Sequence, residues 1–357
     1  MPGSDVNFET IGFLDSTGCL QHPLPEALST RDQLVQLYQV MVQTRVYDRA
    51  AINLQRTGAM GTYASAEGQE AIGAGIGFAM REDDVFVPYY RDAATQIQRG
   101  VLLEELLRYW GGDEWGMHFQ HQAQDFPVNV PIATQACHAA GIACAIKYRQ
   151  QSRAVVTTCG DGATSKGDFY ESINVAGVLG LPVVFVVNNN RWAISVPLEK
   201  QTAAPTIAHK ALAAGIDGFR VDGNDAIAVF HVIDEALERA RKEYRPCLVE
   251  ALSYRLCDHT TADDASRYRP QQELDDAREL EPLIRYKAYL QKEHQWSDAE
   301  DEGVYKHCDK QVKRAIEAYK AFPEQPPGEF FDYMFAKSTA DLEQQKQEWL
   351  AEVKRHG

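Results

Sequence analysis

Asp161 and Asn190 are the residues of this chain best suited to chemistry, and they stand 29 positions apart. Both present hard oxygen donors, and with one backbone carbonyl they make half of an octahedral magnesium site. Magnesium takes few protein oxygens and leaves its other positions to water and phosphate. Gly160 and Gly162 flank the aspartate, and glycine lets backbone amides come close to an anion. The set reads as a site for a magnesium-bound diphosphate. Two nucleotide motifs compete and fail. Gly162 to Gly167 has P-loop spacing, but Asp168 stands where the phosphate-binding lysine belongs, and no intact GxGxxG follows the strand. A Gly-Asp-Gly turn or a polar loop end is ordinary taken singly. Their register makes the site.

The elements that must hold these residues are legible around them. AVVTTC (Ala154–Cys159) and VVFVV (Val183–Val187) are apolar runs of the kind found in strands buried on both faces of a parallel sheet. Parallel neighbours need a crossover of a dozen or more residues, usually a helix, and Phe169 to Leu179 supplies it. Asp161 and Asn190 therefore leave the carboxyl ends of two strands, the edge where α/β sheets bind ligands.

Elsewhere, residues 1–28 lack periodicity and read as an extended arm. Thr30 with Gln33 forms a capping box for a helix through Arg56, with Leu34, Leu37, Tyr38, Met41 and Val42 on one face. Two helices rich in small residues, Ala71–Met80 and Ala136–Ile146, allow close backbone approach in a core or at a subunit contact. A helix near Thr206–Gly215, a strand at Phe219–Val221, an amphipathic helix capped by Asn224 with Ile227, Phe230, Ile233 and Leu237 buried, and a strand at Cys247–Tyr254 continue the alternation. Repeated βα units predict a doubly wound, mostly parallel sheet. The tail from Pro270 is helical and charged, broken by FPEQPPGE at 322–329. The layout is an arm over 1–28, an α/β domain over 29–270 and a helical extension over 271–357.

A net charge of −15 disfavours nucleic acid and acidic lipid surfaces as partners, and it makes cationic residues such as Arg91 necessary wherever an anion binds. Seven cysteines without a CxxC give neither a disulfide framework nor a zinc site. Cys137, Cys144 and Cys159 are expected to be reduced core residues. No run of eighteen apolar residues predicts a membrane span. The N-terminus has no signal or transit character, so the expected compartment is a bacterial cytoplasm, or a matrix if a presequence has been removed.

GDG followed about thirty residues later by NN, across one βαβ unit, resembles the cofactor motif of thiamine-diphosphate enzymes. EGQEAIGAG (Glu67–Gly75), VPYYRDA (Val87–Ala93), VPIATQ (Val130–Gln135), NNNRWAIS (Asn188–Ser195), RVDGND (Arg220–Asp225) and YRLCDHTTADDASRYR (Tyr254–Arg269) narrow the likeness. The chain resembles α subunits of the thiamine-dependent 2-oxo acid dehydrogenase component, of pyruvate or branched-chain type.

That resemblance implies a thiamine-diphosphate-binding fold and assigns roles. Asp161 and Asn190 would hold Mg2+ by their side chains and Trp192 by its backbone carbonyl. Gly160, Gly162, Ala163, Asn188, Tyr90, Arg91 and Val130 would line the thiamine diphosphate, Arg91 meeting its phosphates, and Ile132 would prop the cofactor in its bent form. His259 would be the active-site histidine, contacting the diphosphate and, by titrating near neutrality, moving protons. GMHFQHQAQDF departs from the family's substrate-loop segment, and its His118 and His121 lack a third metal ligand. Asp258 departs from the usual residues before the histidine.

Thiamine catalysis needs a carboxylate against the aminopyrimidine, and neither Glu67 nor Glu70 matches that position. The resemblance implies that a β subunit supplies it, in an α2β2 assembly that acts on a 2-oxo acid and acylates the lipoyl domain of the dihydrolipoyl acyltransferase. Pyruvate leads, from the QRTGAMGTYASAEGQEA and GDFYESINVAG segments. A branched-chain acid and acetoin follow, then a non-catalytic assembly subunit. A stand-alone carboligase would need a second domain for which 357 residues leave little room.

Overall fold

The fold is described from a computed structural model covering residues 7–323 and 325–356. The first six residues of the expected arm lie outside it. Its strands are β1 (Thr10–Ile11), β2 (Val85–Val87), β3 (Val155–Gly160), β4 (Val183–Asn189), β5 (Trp192–Ala193), β6 (Val196–Pro197), β7 (Asp217–Asp222) and β8 (Cys247–Leu252). Six of them form one sheet in the order β1-β7-β8-β4-β3-β2, with every pair parallel. Strands β5 and β6 make a separate antiparallel hairpin.

The helices that flank the sheet are α1 (Arg31–Arg56), α2 (Glu70–Ala79), α3 (Ala93–Gln98), α4 (Leu103–Trp110), α5 (Thr134–Tyr148), α6 (Gly167–Leu179), α7 (Lys210–Ala214) and α8 (Ala226–Glu243). Alternate strand residues divide between two apolar layers. Val156, Val184, Val186 and Val249 pack with α1, α2 and α8. Val155, Val183, Phe185 and Leu248 pack with α5 and α6. The sheet is thus doubly wound, and strands covered on both faces are why β3 and β4 read as unbroken apolar runs.

Local chemistry sets the helix ends. Thr30 and Gln33 form the reciprocal capping box at α1. The cap of α8 is Asp225 and not Asn224: its carboxylate accepts from the Ile227 and Ala228 amides, and its other oxygen accepts from Phe13 and Leu14 at 2.7 and 2.6 Å. The arm is accordingly docked, with β1 joining the sheet edge beside β7. Two residues are too short a strand to leave a periodic signal.

The two small-residue helices differ in fate. α2 is buried, and a Cβ on Gly75 would lie 2.7 Å from Val229 Cγ1 of α8, so glycine permits that close crossing. α5 buries one side only. Cys137 and Cys144 are exposed, against expectation, whereas Cys159 is buried; both sit on the less covered side of α5, where Cys137 touches the edge of α6 at Ser172. All seven cysteines are free.

Beyond the sheet, α9 (Gln271–Glu279), α10 (Pro282–His294) and α11 (Asp298–Ala321) follow. Tyr38 of α1 donates to Asp301 at 2.8 Å and Arg45 to Glu281 at 2.6 Å. Contacts divide the chain into 1–316 and 317–357. The second unit holds α12 (Glu329–Asp332) and α13 (Ala340–His356), joined by Trp349 Nε1 donating to the Pro327 carbonyl. No described helix is long and apolar enough to cross a membrane.

Candidate active site

Asp161 opens a single 3-10 turn, Asp161–Ser165, directly after β3, and Asn190 follows β4. Because β3 and β4 are adjacent and parallel with Gly160 beside Asn188, the two residues come to one end of the sheet. Lys210 locks the turn. Its buried ammonium donates at 2.8 Å to both the carbonyl and hydroxyl of Thr164, which in turn donates to the Asp161 carbonyl.

A cavity of about 210 Å3 lies here. Asp161, Asn190, Trp192, Gly160, Gly162 and Ala163 line it from the strand ends, and Tyr90, Arg91, Val130, Ile132 and His259 from the surrounding loops. Asn188 is the exception. Its buried carboxamide donates to Gln69 and to Tyr89 Oη (3.1 Å) and accepts from Ser253 (2.7 Å), so it braces β4 against its neighbours and does not line the cavity. A larger cavity of about 1000 Å3 lies on the other side of Trp192. It has none of Asp161, Asn190, Arg91 or His259 in its walls, and the smaller one is where the chemistry gathers.

Asp161 is buried, and burial pushes its carboxyl up. A hydrogen bond from Gln201 and the charges of Arg255 and Arg91 pull it back. Gly162 must be glycine, because a Cβ there would sit 2.6 Å from that of Ala193 in the β5–β6 hairpin. Arg191 and Ile194 at the ends of β5 have φ of 69° and 55°, left-handed conformations that are unfavourable for side-chain-bearing residues and most of all for the β-branched Ile194.

The cationic side is built from two arginines. Arg91 donates from Nη1 to the Ser65 carbonyl (2.5 Å) and from Nη2 to His259, both its Nδ1 (3.0 Å) and its carbonyl (2.5 Å). Arg255, fully buried, donates to the Trp192 carbonyl (3.3 Å), the Ile194 carbonyl (3.0 Å), Tyr268 Oη (2.7 Å) and His259 Nδ1 (3.4 Å). Among the described residues, neither guanidinium has a carboxylate within ion-pair distance. Arg255 escaped the sequence reading because an arginine after an apolar strand has no signature of burial. The Trp192 carbonyl keeps a second lone pair free beside its long bond to Arg255.

His259 differs from expectation. Burial, reinforced by Arg91 and Arg255, lowers its pKa to about 4, so it is neutral at physiological pH. Arginine only donates, so Nδ1 is an acceptor and the ring proton sits on Nε2. It is a fixed hydrogen-bonding group and not a near-neutral titrant. Asp263 holds its backbone N–H at 2.9 Å, and Asp258 is turned to the Ala265 N–H at 2.8 Å.

The nearby glutamates are already engaged. Glu70 is fully buried against Arg45, and Glu67 accepts from Cys257 at 3.0 Å. His118 and His121 do not share a helix: His118 ends the 3-10 turn Glu114–Met117, and His121 is exposed. No cluster of three metal-binding side chains of His, Cys, Asp or Glu type exists among the described residues. A single carboxylate with oxygen donors, with the Arg91 guanidinium in the cavity wall and Arg255 behind the Trp192 and Ile194 carbonyls, is complementary to a phosphate carried on a hard cation.

The sequence model of the dehydrogenase E1 component family matches residues 38–328. The chain is 41% identical over 324 residues to 3-methyl-2-oxobutanoate dehydrogenase subunit alpha of Mycobacterium tuberculosis, covering 89% of this chain and 87% of that protein. It is 39% identical to the pyruvate dehydrogenase E1 component subunit alpha of Bacillus subtilis, covering 88% and 85%. The corresponding subunit of Mycoplasma genitalium is 35% identical, with 93% of each chain covered.

Proposed function

The chain belongs to the dehydrogenase E1 component family as an α subunit of a 2-oxo acid dehydrogenase, and from that premise we propose that it decarboxylates pyruvate and passes the acyl group to a lipoyl acceptor. Family membership implies thiamine diphosphate, which when bound supplies the electron sink for decarboxylation. Under this reading Asp161, Asn190 and the Trp192 carbonyl hold Mg2+. Arg91 meets the diphosphate, with Gly160, Gly162, Ala163 and Tyr90 around it. Val130 and Ile132 give apolar support, and His259 donates from Nε2. Asn188 acts at one remove, by bracing β4.

One observation carries the reading: two buried guanidiniums with no carboxylate partner converge on His259 beside Asp161. A buried cation left without a counter-charge is costly, and a diphosphate beside Arg91, which lines the cavity, would offset that cost with Arg255 adding its charge from behind.

An α subunit implies a β partner, here as α2β2. Two features support a site completed by it. The cavity is small beside the roughly 300–1,000 Å3 of sites that enclose a ligand alone, and Val130 and Ile132 stand half exposed at its mouth. Val175, Val178 and Leu179 of α6 are also exposed, an apolar face suited to subunit contact.

A second reading, 3-methyl-2-oxobutanoate as substrate, is favoured by the Mycobacterium tuberculosis relative. The test is dye-coupled decarboxylation with Mg2+ and thiamine diphosphate, by this chain alone and co-expressed with its β partner, on both acids. Turnover only with the partner and mainly on pyruvate bears the proposal out. Preference for the branched acid moves it to the second reading. Turnover by the chain alone refutes the shared site.

A further inference from the structure

Gln201 sits at the end of the 3-10 turn Leu198–Lys200, just beyond the β5–β6 hairpin. Its carboxamide Nε2 donates to Asp161 Oδ2 at 2.5 Å and to the Val196 carbonyl of β6 at 3.0 Å. Its own carbonyl accepts from Ser165 Oγ, at the far end of the Asp161 turn, at 3.0 Å. Val196 pairs with Ala193, and Trp192 with Pro197, across the hairpin. One side chain therefore links the turn that carries Asp161 to the hairpin that carries Trp192. Its Oε1 is buried without a hydrogen-bond partner among the described residues, 3.9 Å from where a Cβ on Gly162 would lie.

We propose that Gln201 is the positioning residue of the cation site, orienting the Asp161 carboxylate and making the order of the hairpin depend on the bound cation. This rests on the reading of Asp161, Asn190 and Trp192 as the Mg2+ set. By taking Oδ2, the carboxamide leaves the other oxygen of Asp161 as the ligand. Being neutral, it orients the carboxylate without competing with the cation for charge, as a lysine or arginine would. The unpaired Oε1 is a buried acceptor, unfavourable until a donor reaches it, and a water of the cation's hydration shell is such a donor.

Groups that hydrogen-bond metal ligands typically contribute about 10- to 100-fold to metal affinity. The experiment uses the assembled α–β protein, with Mg2+ titrated at fixed thiamine diphosphate. Binding is followed calorimetrically, and amide exchange across 192–201 is followed with and without Mg2+. Gln201→Met should raise the half-saturating Mg2+ by about 10- to 100-fold and abolish the slowing of hairpin exchange by Mg2+. Gln201→Asn, which withdraws the carboxamide by one methylene, should do the same if the Met variant fails to assemble. Ser165→Ala, which cuts only the backbone tie, should leave half-saturation unchanged. Equal rises in the Ser165 and Gln201 variants would mean mere loop-holding and would overturn the inference. So would an unchanged Gln201 variant beside an Asp161→Ala protein that no longer responds to Mg2+. An Asp161→Ala protein that responds like the parent would instead sink the cation site itself.

Discussion

Arg91 and His259 lie 168 residues apart in sequence, yet one guanidinium nitrogen of Arg91 donates to both the ring Nδ1 and the backbone carbonyl of His259. The arginine thus sets the tautomer of the histidine and anchors the loop that carries it. Charge-assisted hydrogen bonds contribute about 1.5–3 kcal/mol each. Arg91→Met should raise the half-saturating thiamine diphosphate of the α–β enzyme at least ~10-fold and speed amide exchange across 256–268. Wild-type exchange in that loop would show that Arg91 does not anchor it.

Replacing Asp161 with Asn removes the one charged oxygen ligand while keeping size and burial. Retention of thiamine diphosphate through gel filtration in Mg2+ should be lost. The melting temperature without cofactor should stay level or rise, because burial already disfavours the charged carboxyl. A variant that keeps its cofactor would remove Asp161 from the cation site.

The depressed pKa of His259 has a defined effect on stability. Its folded value is about 4 against 6.5 for the free side chain, so in this window the unfolded chain binds a proton that the native state refuses. The contribution is fully present above pH 6.5 and is lost as pH falls towards 4. His259→Gln should therefore show a shallower fall in melting temperature between pH 6.5 and 4 than the parent. Parallel curves would mean that the imidazole is not held neutral.

Arg45 faces Glu70 and Glu281 in the interior. Arg45→Met would strand a fully buried carboxylate, and breaking such a pair costs about 3–5 kcal/mol. Adding Glu70→Gln should recover a large part of that loss. Urea unfolding of the two variants measures it, and no recovery in the double variant would place the cost elsewhere.

Val178 of α6 is three-quarters exposed (75%). If this face contacts another subunit, Val178→Asp should reduce the assembled species in analytical ultracentrifugation without changing the circular dichroism of the chain. An unchanged assembly would clear this face of that role.

What could be read beforehand follows the range of the interactions. The β3–α6–β4 unit and the box at Thr30 are local, and residue type plus spacing specified them. The long-range partners left no trace. Gln201 reaches Asp161 across 40 residues, and Arg255 is buried by a hairpin and a loop. Asn224 and Asp225 suit an N-cap equally by residue type; only the fold shows that Asp225 is the cap and that its other oxygen also accepts from Phe13 and Leu14, over two hundred residues away. Cys137 and Cys144 read as core residues because small residues on every side of a helix carry no mark of which side the fold covers. A near-neutral His259 follows from its side chain alone; the guanidiniums of Arg91 and Arg255 that hold it neutral are brought to it only by the fold.

Strand β1 has a temporal consequence. Thr10 and Ile11 pair with Arg220 and Val221, so this strand, once synthesised, waits for a neighbour made some two hundred residues later. At roughly 5–20 residues per second that delay is about 10–40 s. During it the nascent arm and the apolar residues that follow it lack their final partner. The edge of the sheet can close only after β7 has been made.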